Sequence, residues 1–214
     1  MSDSHAQAPA QLGFDALLVD ADTENRARKF ERETAHLPDT MEEGLRFYRI
    51  LLRQHHAAML DANVDETMRL REEARNLALR LNGGEPGILA GPDSPGHVLE
   101  RETAATPDKL PLWGQIGSYA INVSDLKVHI ALDGIFGIGG STFYWPGFST
   151  RAVECDRPFL SSTGYRSFLG VQGDPVPGLS PDTFTRRVIE SYIAHDLKGS
   201  LVSIEPKYRQ RAGA

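Results

Sequence analysis

Tyr119-Ala120-Ile121-Asn122-Val123-Ser124-Asp125-Leu126-Lys127-Val128-His129-Ile130-Ala131-Leu132 is the stretch that decides the fold. Apolar side chains recur at every second position, first Tyr119, Ile121 and Val123, then Val128, Ile130 and Leu132. A period of two places alternate residues on opposite faces of a strand. With Ser124-Asp125 as a two-residue turn, Val123 faces Leu126, Ile121 faces Val128 and Tyr119 faces Ile130. Both apolar sets then share one face, which fixes the register, because a slip of one residue would turn one set to solvent. The other face stays free.

Downstream, Asp133-Gly134 is a favoured hairpin dipeptide. Gly139-Gly140 and Pro146-Gly147 offer two further turns around Thr142–Trp145, and Phe148–Cys155 reads as a last strand. The expectation is an antiparallel β-meander of four to five strands. Ser180, Pro181 and Asp182 open a covering helix with proline at its first position. Its stripe is Phe184, Val188, Ile189, Tyr192 and Ile193, and Gly199 closes it. Leu201–Ile204 reads as one more edge strand.

Upstream the period is helical. Phe14 to Leu37 holds no Gly or Pro, with Phe14, Leu17, Leu18 and Ala21 as one apolar patch that Ala27 and Phe30 resume. Pro38 ends it. Thr40 with Glu43, and Asn63 with Glu66, are spaced as N-terminal capping boxes for a second and a third helix. Met41, Leu45, Tyr48, Leu52, His55 and Met59 form the seam of the second; Leu70, Ala74, Leu77 and Leu81 form that of the third. The short link at 61–63 makes these two antiparallel. Residues 83–112 then alternate Gly and Pro without a period, a connector or lid. The expected fold class is α+β: a helical hairpin unit over 14–82, the connector, and a sheet with its helix over 113–204. Tails at 1–13 and 205–214 are expected to be disordered.

The chain has 214 residues with 23 Lys plus Arg and 29 Asp plus Glu, a net charge of −6, 40% hydrophobic and 24% charged residues. That is a globular mixture. No apolar run approaches the length of a membrane span, and the polar first residues do not resemble a secretory signal, so the chain reads as cytoplasmic. One cysteine, Cys155, excludes an intrachain disulfide. Residues 1–149 carry 14 basic and 22 acidic side chains, and 150–214 carry 9 and 7. Neither balance suits many phosphate contacts, so nucleic acid is disfavoured as a partner. Lys207, Arg209 and Arg211 at the end read as solubilising charge.

Several constellations invite chemistry and meet simpler explanations. Gly134–Thr142 is glycine-rich, but neither a helix nor a lysine follows where a phosphate loop needs them. His55-His56 point to different helix faces, so His55 reads as a packed histidine rather than a metal ligand. Cys155, between Glu154 and Asp156 and in alternation with Val153, reads as a buried structural thiol. His195-Asp196 would need a serine such as Ser161 to act, and Asp133, Glu154 and Asp156 would need to converge to hold a metal. The segment Arg157–Arg166 is richer: Ser161, Ser162 and Thr163 stand between Arg157 and Arg166, a pattern that suits a phosphate or carboxylate. Its simpler reading has a hydroxyl capping a local turn and the arginines pairing with Glu154 and Asp156.

Two functions follow as expectations. The first is a non-catalytic interaction protein, with a protein partner or a second copy of itself, acting through the helical hairpin or the free sheet face. Trp145 and Phe148, expected to be exposed aromatics, support it. The alternative is an anion or phosphate-ester binding protein or enzyme, sited at Arg157, Ser161, Ser162, Thr163 and Arg166. No cofactor and no metal are expected in either.

Overall fold

The structure, a computed structural model, describes residues 9–107 and 109–209, without the side chains of 9–18 and 20. In chain order it forms α1 (Pro9–Thr34), α2 (Met41–Leu60), α3 (Val64–Leu81), α4 (Pro95–Glu102), β1 (Gly117–Val123), β2 (Leu126–Leu132), β3 (Phe148–Ala152), β4 (Tyr165–Phe168), α5 (Pro181–His195) and α6 (Pro206–Arg209). This is the α+β arrangement that the periodicities imply, with one four-stranded antiparallel sheet in the order β1-β2-β3-β4.

The local signals act where they stand. Thr40 accepts the Glu43 N–H at the start of α2, and Asn63 accepts the Glu66 N–H at the start of α3. Satisfying those otherwise orphaned donors sets both helix starts. Val123 pairs Leu126, Ile121 pairs Val128 and Tyr119 pairs Ile130, the register given by the Ser124-Asp125 turn. Ser180 precedes Pro181 at the start of α5, and Gly199 takes a positive φ of 79° beyond its end.

Other expectations meet different outcomes. Asp133-Gly134 does not turn a tight hairpin: β2 ends at Leu132, β3 begins at Phe148, and Thr142–Trp145 form no strand. The fourth strand is instead Tyr165–Phe168. Leu201–Ile204 contributes one bridge, Val202 to Phe159, rather than a strand. The connector holds the helix α4. Helix α1 starts at Pro9, so part of the expected N-terminal tail is helical, and α6 takes up Pro206–Arg209 at the other end. The patch at Phe14, Leu17 and Leu18 falls outside the described side chains, as does Arg211.

Two cores result. Tyr48, Leu51, Leu52, Leu70, Leu77 and Leu99 pack the helical one, which Ile135 enters from the long β2–β3 loop. The apolar face of the sheet, α5, Trp113 and Trp145 pack the other, which Met59 enters from α2. Trp145 and Phe148 are buried, 4% and 1% exposed, and Trp145 stacks on Phe184 at 4.7 Å between ring centres. Their burial overturns the expectation of exposed aromatics.

The halves are pinned together by Arg71 of α3, whose side chain is 5% exposed. Its Nε donates to His55 Nε2 at 3.0 Å, Nη1 to the carbonyls of Gly140 and Phe143 at 3.0 and 2.6 Å, and Nη2 to the Tyr144 carbonyl at 2.7 Å. Met59 Sδ lies 3.6 Å from Nη2. Carbonyls turned onto a guanidinium cannot join a strand ladder, which is why Thr142–Trp145 stays irregular. An arginine can only donate, so His55 Nε2 is an acceptor and its proton is on Nδ1, donated to the Trp113 carbonyl at 2.9 Å. The neighbouring His56 Nδ1 accepts the Trp113 N–H at 3.1 Å. His55 is thus a packed histidine with both ring nitrogens in use. Glu100 of α4 adds a second tie, accepting the Phe136 N–H at 3.1 Å. A Cβ at Gly134 would stand 2.0 Å from Glu100 Oε1, so glycine alone leaves room for that tie.

Arg71→Met removes the donor from three part-buried carbonyls and from the buried His55 ring, and is expected to cost about 3–5 kcal/mol in urea unfolding. A loss under about 1 kcal/mol would mean that the loop is held by other contacts. Burial first, then the Arg71 charge, lowers the His55 pKa from 6.5 to about 3. The unfolded chain binds this proton below about pH 6.5 and the folded chain does not. Stability from His55 is therefore complete above that pH and falls by about 1.4 kcal/mol per pH unit towards pH 3. Unfolding free energies measured between pH 7 and 4 check this slope, which variants lacking His55 should flatten.

Candidate functional site

Alternation along the four strands that bury Ile121, Val128, Ile130 and Phe148 leaves a second set of side chains on the opposite face. Across one row of the register stand Ala120, His129, Arg151 and Tyr165, with Ser118, Ala131, Ser149 and Ser167 in a parallel row. Asn122 and Lys127 form the next pair outward. These residues are exposed or half-buried, whereas their sequence neighbours Val123, Val128, Ile130 and Thr150 are fully buried. The face is flat because six of its ten residues are Ala, Ser or Asn. Lys127 and Arg151 give it positive character, and none of its residues is acidic. The Arg151 guanidinium lies 5.5 Å from the centre of the Tyr165 ring, a cation–π contact that presets both side chains.

The Arg157–Arg166 loop joins β3 to β4 beside this face. Ser161 Oγ donates to the Tyr165 carbonyl at 2.7 Å, Thr163 Oγ1 donates to the same carbonyl at 3.1 Å, and Thr163 Oγ1 also accepts the Tyr165 N–H. The Ser162 carbonyl accepts the Glu205 N–H at 2.9 Å. Lys207 first, then the Ser162 hydroxyl, hold the Glu205 carboxyl below its ordinary range. Arg157 pairs with Glu154 at 2.8 Å. Arg166 lies over the Tyr192 ring of α5 at 4.6 Å, on the side of the sheet that packs the core. The hydroxyls close a local turn and the two arginines are engaged separately, one by a carboxylate and one by an aromatic ring.

The remaining candidates are dispersed. Cys155 is half-buried rather than buried, because β3 stops at Ala152 and Val153 is 42% exposed. His195 and Asp196 are exposed at the end of α5, and Ser161 has its hydroxyl on the Tyr165 carbonyl. Asp133 sits by Glu100, while Glu154 holds Arg157. Burial raises the carboxyl pKa of both Glu100 and Asp133.

The chain is 36% identical over 134 residues to Protein KlcB of Escherichia coli, covering 62% of this chain and 31% of that protein. A second Escherichia coli protein of the same name is 39% identical over 89 residues, 41% of this chain and 18% of its own length. The chain therefore spans a third or less of the curated relatives it matches. No family model matches it, and no solved structure does. No described helix is long and apolar enough to cross a membrane.

Sequence reasoning left Arg151 unassigned and expected Tyr165 to anchor the loop onto the sheet, whereas Tyr165 is 43% exposed on the open face. The signal for Arg151 was the alternation of β3, where it stands between buried Thr150 and Ala152; Tyr165-Arg166-Ser167-Phe168 carries no such alternation. Exchanging Lys127 and Arg151 for Glu should alter unfolding stability by no more than about 0.5 kcal/mol each. Ser161→Ala should cost about 1 kcal/mol by opening the turn into β4. Chemical denaturation of the three variants distinguishes a face free of structural duty from a loop that carries it.

Proposed function

We propose that the protein is a non-catalytic binding protein that presents the open face of its sheet to a protein partner with an acidic surface. The observation that carries this reading is the positively charged, carboxylate-free row His129–Arg151–Tyr165 with Lys127 beside it. An arginine preset on an aromatic ring loses little freedom on binding, and Arg and Tyr dominate the centres of interfaces. The helical hairpin is a poorer surface, since Tyr48, Leu52, Leu70 and Leu77 of its seams are spent on the internal core. A further support is the chain's own charge distribution, because residues 1–149 carry the acidic excess. A second copy thus offers chemistry complementary to this face.

Amide chemical-shift mapping of the full chain with poly-L-glutamate, at low and at moderate salt, tests the reading. Shifts along β2, β3 and β4 that fade with salt and vanish in a Lys127→Glu, Arg151→Glu double variant are the expected result. Light scattering on the same samples without polymer tells whether a second copy takes the place, through a mass that rises with concentration and falls in the double variant. Absence of shifts on the face, together with an unchanging monomer mass, overturns the proposal.

A further inference from the structure

A concavity lies where the halves meet. α3, residues 87–90 of the connector and residues 135–141 of the β2–β3 loop enclose a cleft of about 340 Å³, the size of a small-molecule site. Ile88, Leu89 and Phe136 wall it, and Arg71 closes its floor. Glu72, Arg75 and Ser141, all exposed, line it nearer to solvent.

The electrostatics of this cleft are set by a buried charge without a counter-ion. The hydrogen bonds of Arg71 go to three carbonyls, two thioethers and a neutral imidazole, and among the described residues no carboxylate pairs with it. Burial lowers its pKa to about 10, the mark of a charge that its surroundings do not offset. Low-dielectric walls focus such a field into the open space beside it. Arg75 stands four residues on, on the same side of α3. Among the described residues it makes no ion pair and no hydrogen bond, although Glu72 lies on the same helix and lines the same cleft. Two guanidinium groups face one carboxylate.

We propose that this cleft binds a small ligand with a flat apolar body and one anionic head group, the head held by Arg75 and Ser141 and the body against Leu89 and Phe136. The donors of Arg71 are already committed, so it acts on the ligand through its field alone. The selectivity lies in the charge: a neutral ligand of the same shape gains the apolar walls but not the arginines.

Fluorescence titration of the full chain with 1-anilinonaphthalene-8-sulfonate, and with the uncharged N-phenyl-1-naphthylamine, reads both terms. Saturable one-to-one binding of the sulfonate is expected, with the neutral probe about tenfold weaker or worse. Arg75→Ala should weaken the sulfonate by about tenfold and leave the neutral probe unchanged. Leu89→Glu, which puts a second carboxylate in the wall, should abolish sulfonate binding. Both positions are exposed, and circular dichroism confirms that each variant folds. Equal affinity for the two probes, no saturable sulfonate binding, or wild-type affinity in both variants overturns the proposal. The last result would place the probe elsewhere, for example on the aromatic cleft that Trp145 and Phe184 share with α5.

Discussion

A guanidinium taken out of water must be solvated by something, and for Arg71 that something is the backbone of a distant loop. Its planar fork directs donors along several fixed directions at once. The Gly140, Phe143 and Tyr144 carbonyls converge on that fork. Such convergence is possible only if residues 133–147 abandon the regular extended conformation. The loop then delivers Ile135 to the helical core and Trp145 to the sheet core. One buried charge thus dictates where two cores end. Burial, with the same charge in second place, keeps His55 neutral, and His55 with His56 grips both backbone groups of Trp113, whose indole Nε1 donates to the Leu179 carbonyl at 2.9 Å. From α3 the constraint reaches the entry to β1 and the approach to α5.

The sheet has its apolar face satisfied by α5 and by the two tryptophans, which leaves the opposite face with no internal role. Small and polar residues there avoid an exposed apolar surface, and Lys127 and Arg151, on the two central strands, oppose face-to-face association of like faces. A face designed only to stay in water would tolerate carboxylates as readily as lysines. This one carries none among its ten residues, although the chain as a whole has more acidic than basic side chains. That exclusion is a physical reason to assign the face a partner rather than a merely solvated role.

What could be read from the sequence was what local chemistry dictates. The Ser124-Asp125 register, both asparagine- and threonine-capped helix starts, and the proline-led α5 are decided within a few residues of where they occur. The β2–β3 loop was not legible, because Asp133-Gly134 looks like a hairpin corner and its true determinant is an arginine more than sixty residues away. Trp145 and Phe148 sit beside a Pro-Gly turn, which locally signals exposure, yet the distant Phe184 buries them. The Arg157–Arg166 segment shows the opposite limit. Serine and threonine beside a glycine match an anion site and a self-bonded turn equally well, since short hydroxyl side chains reach their own backbone first.

The cleft beside Arg71 and the pin itself are not independent. Any anion that settles near the buried guanidinium offsets part of the field that now rests on neutral partners alone. That favours the arrangement in which Arg71 is inserted and the loop is drawn onto α3. Binding in the cleft and closure of the two halves therefore have the same sign of coupling, and linkage requires each to strengthen the other. The open face of the sheet stands on the far side of β2 and β3 from the core that the loop helps to build. A ligand that firms the loop firms the frame on which Lys127 and Arg151 are mounted, without touching either residue.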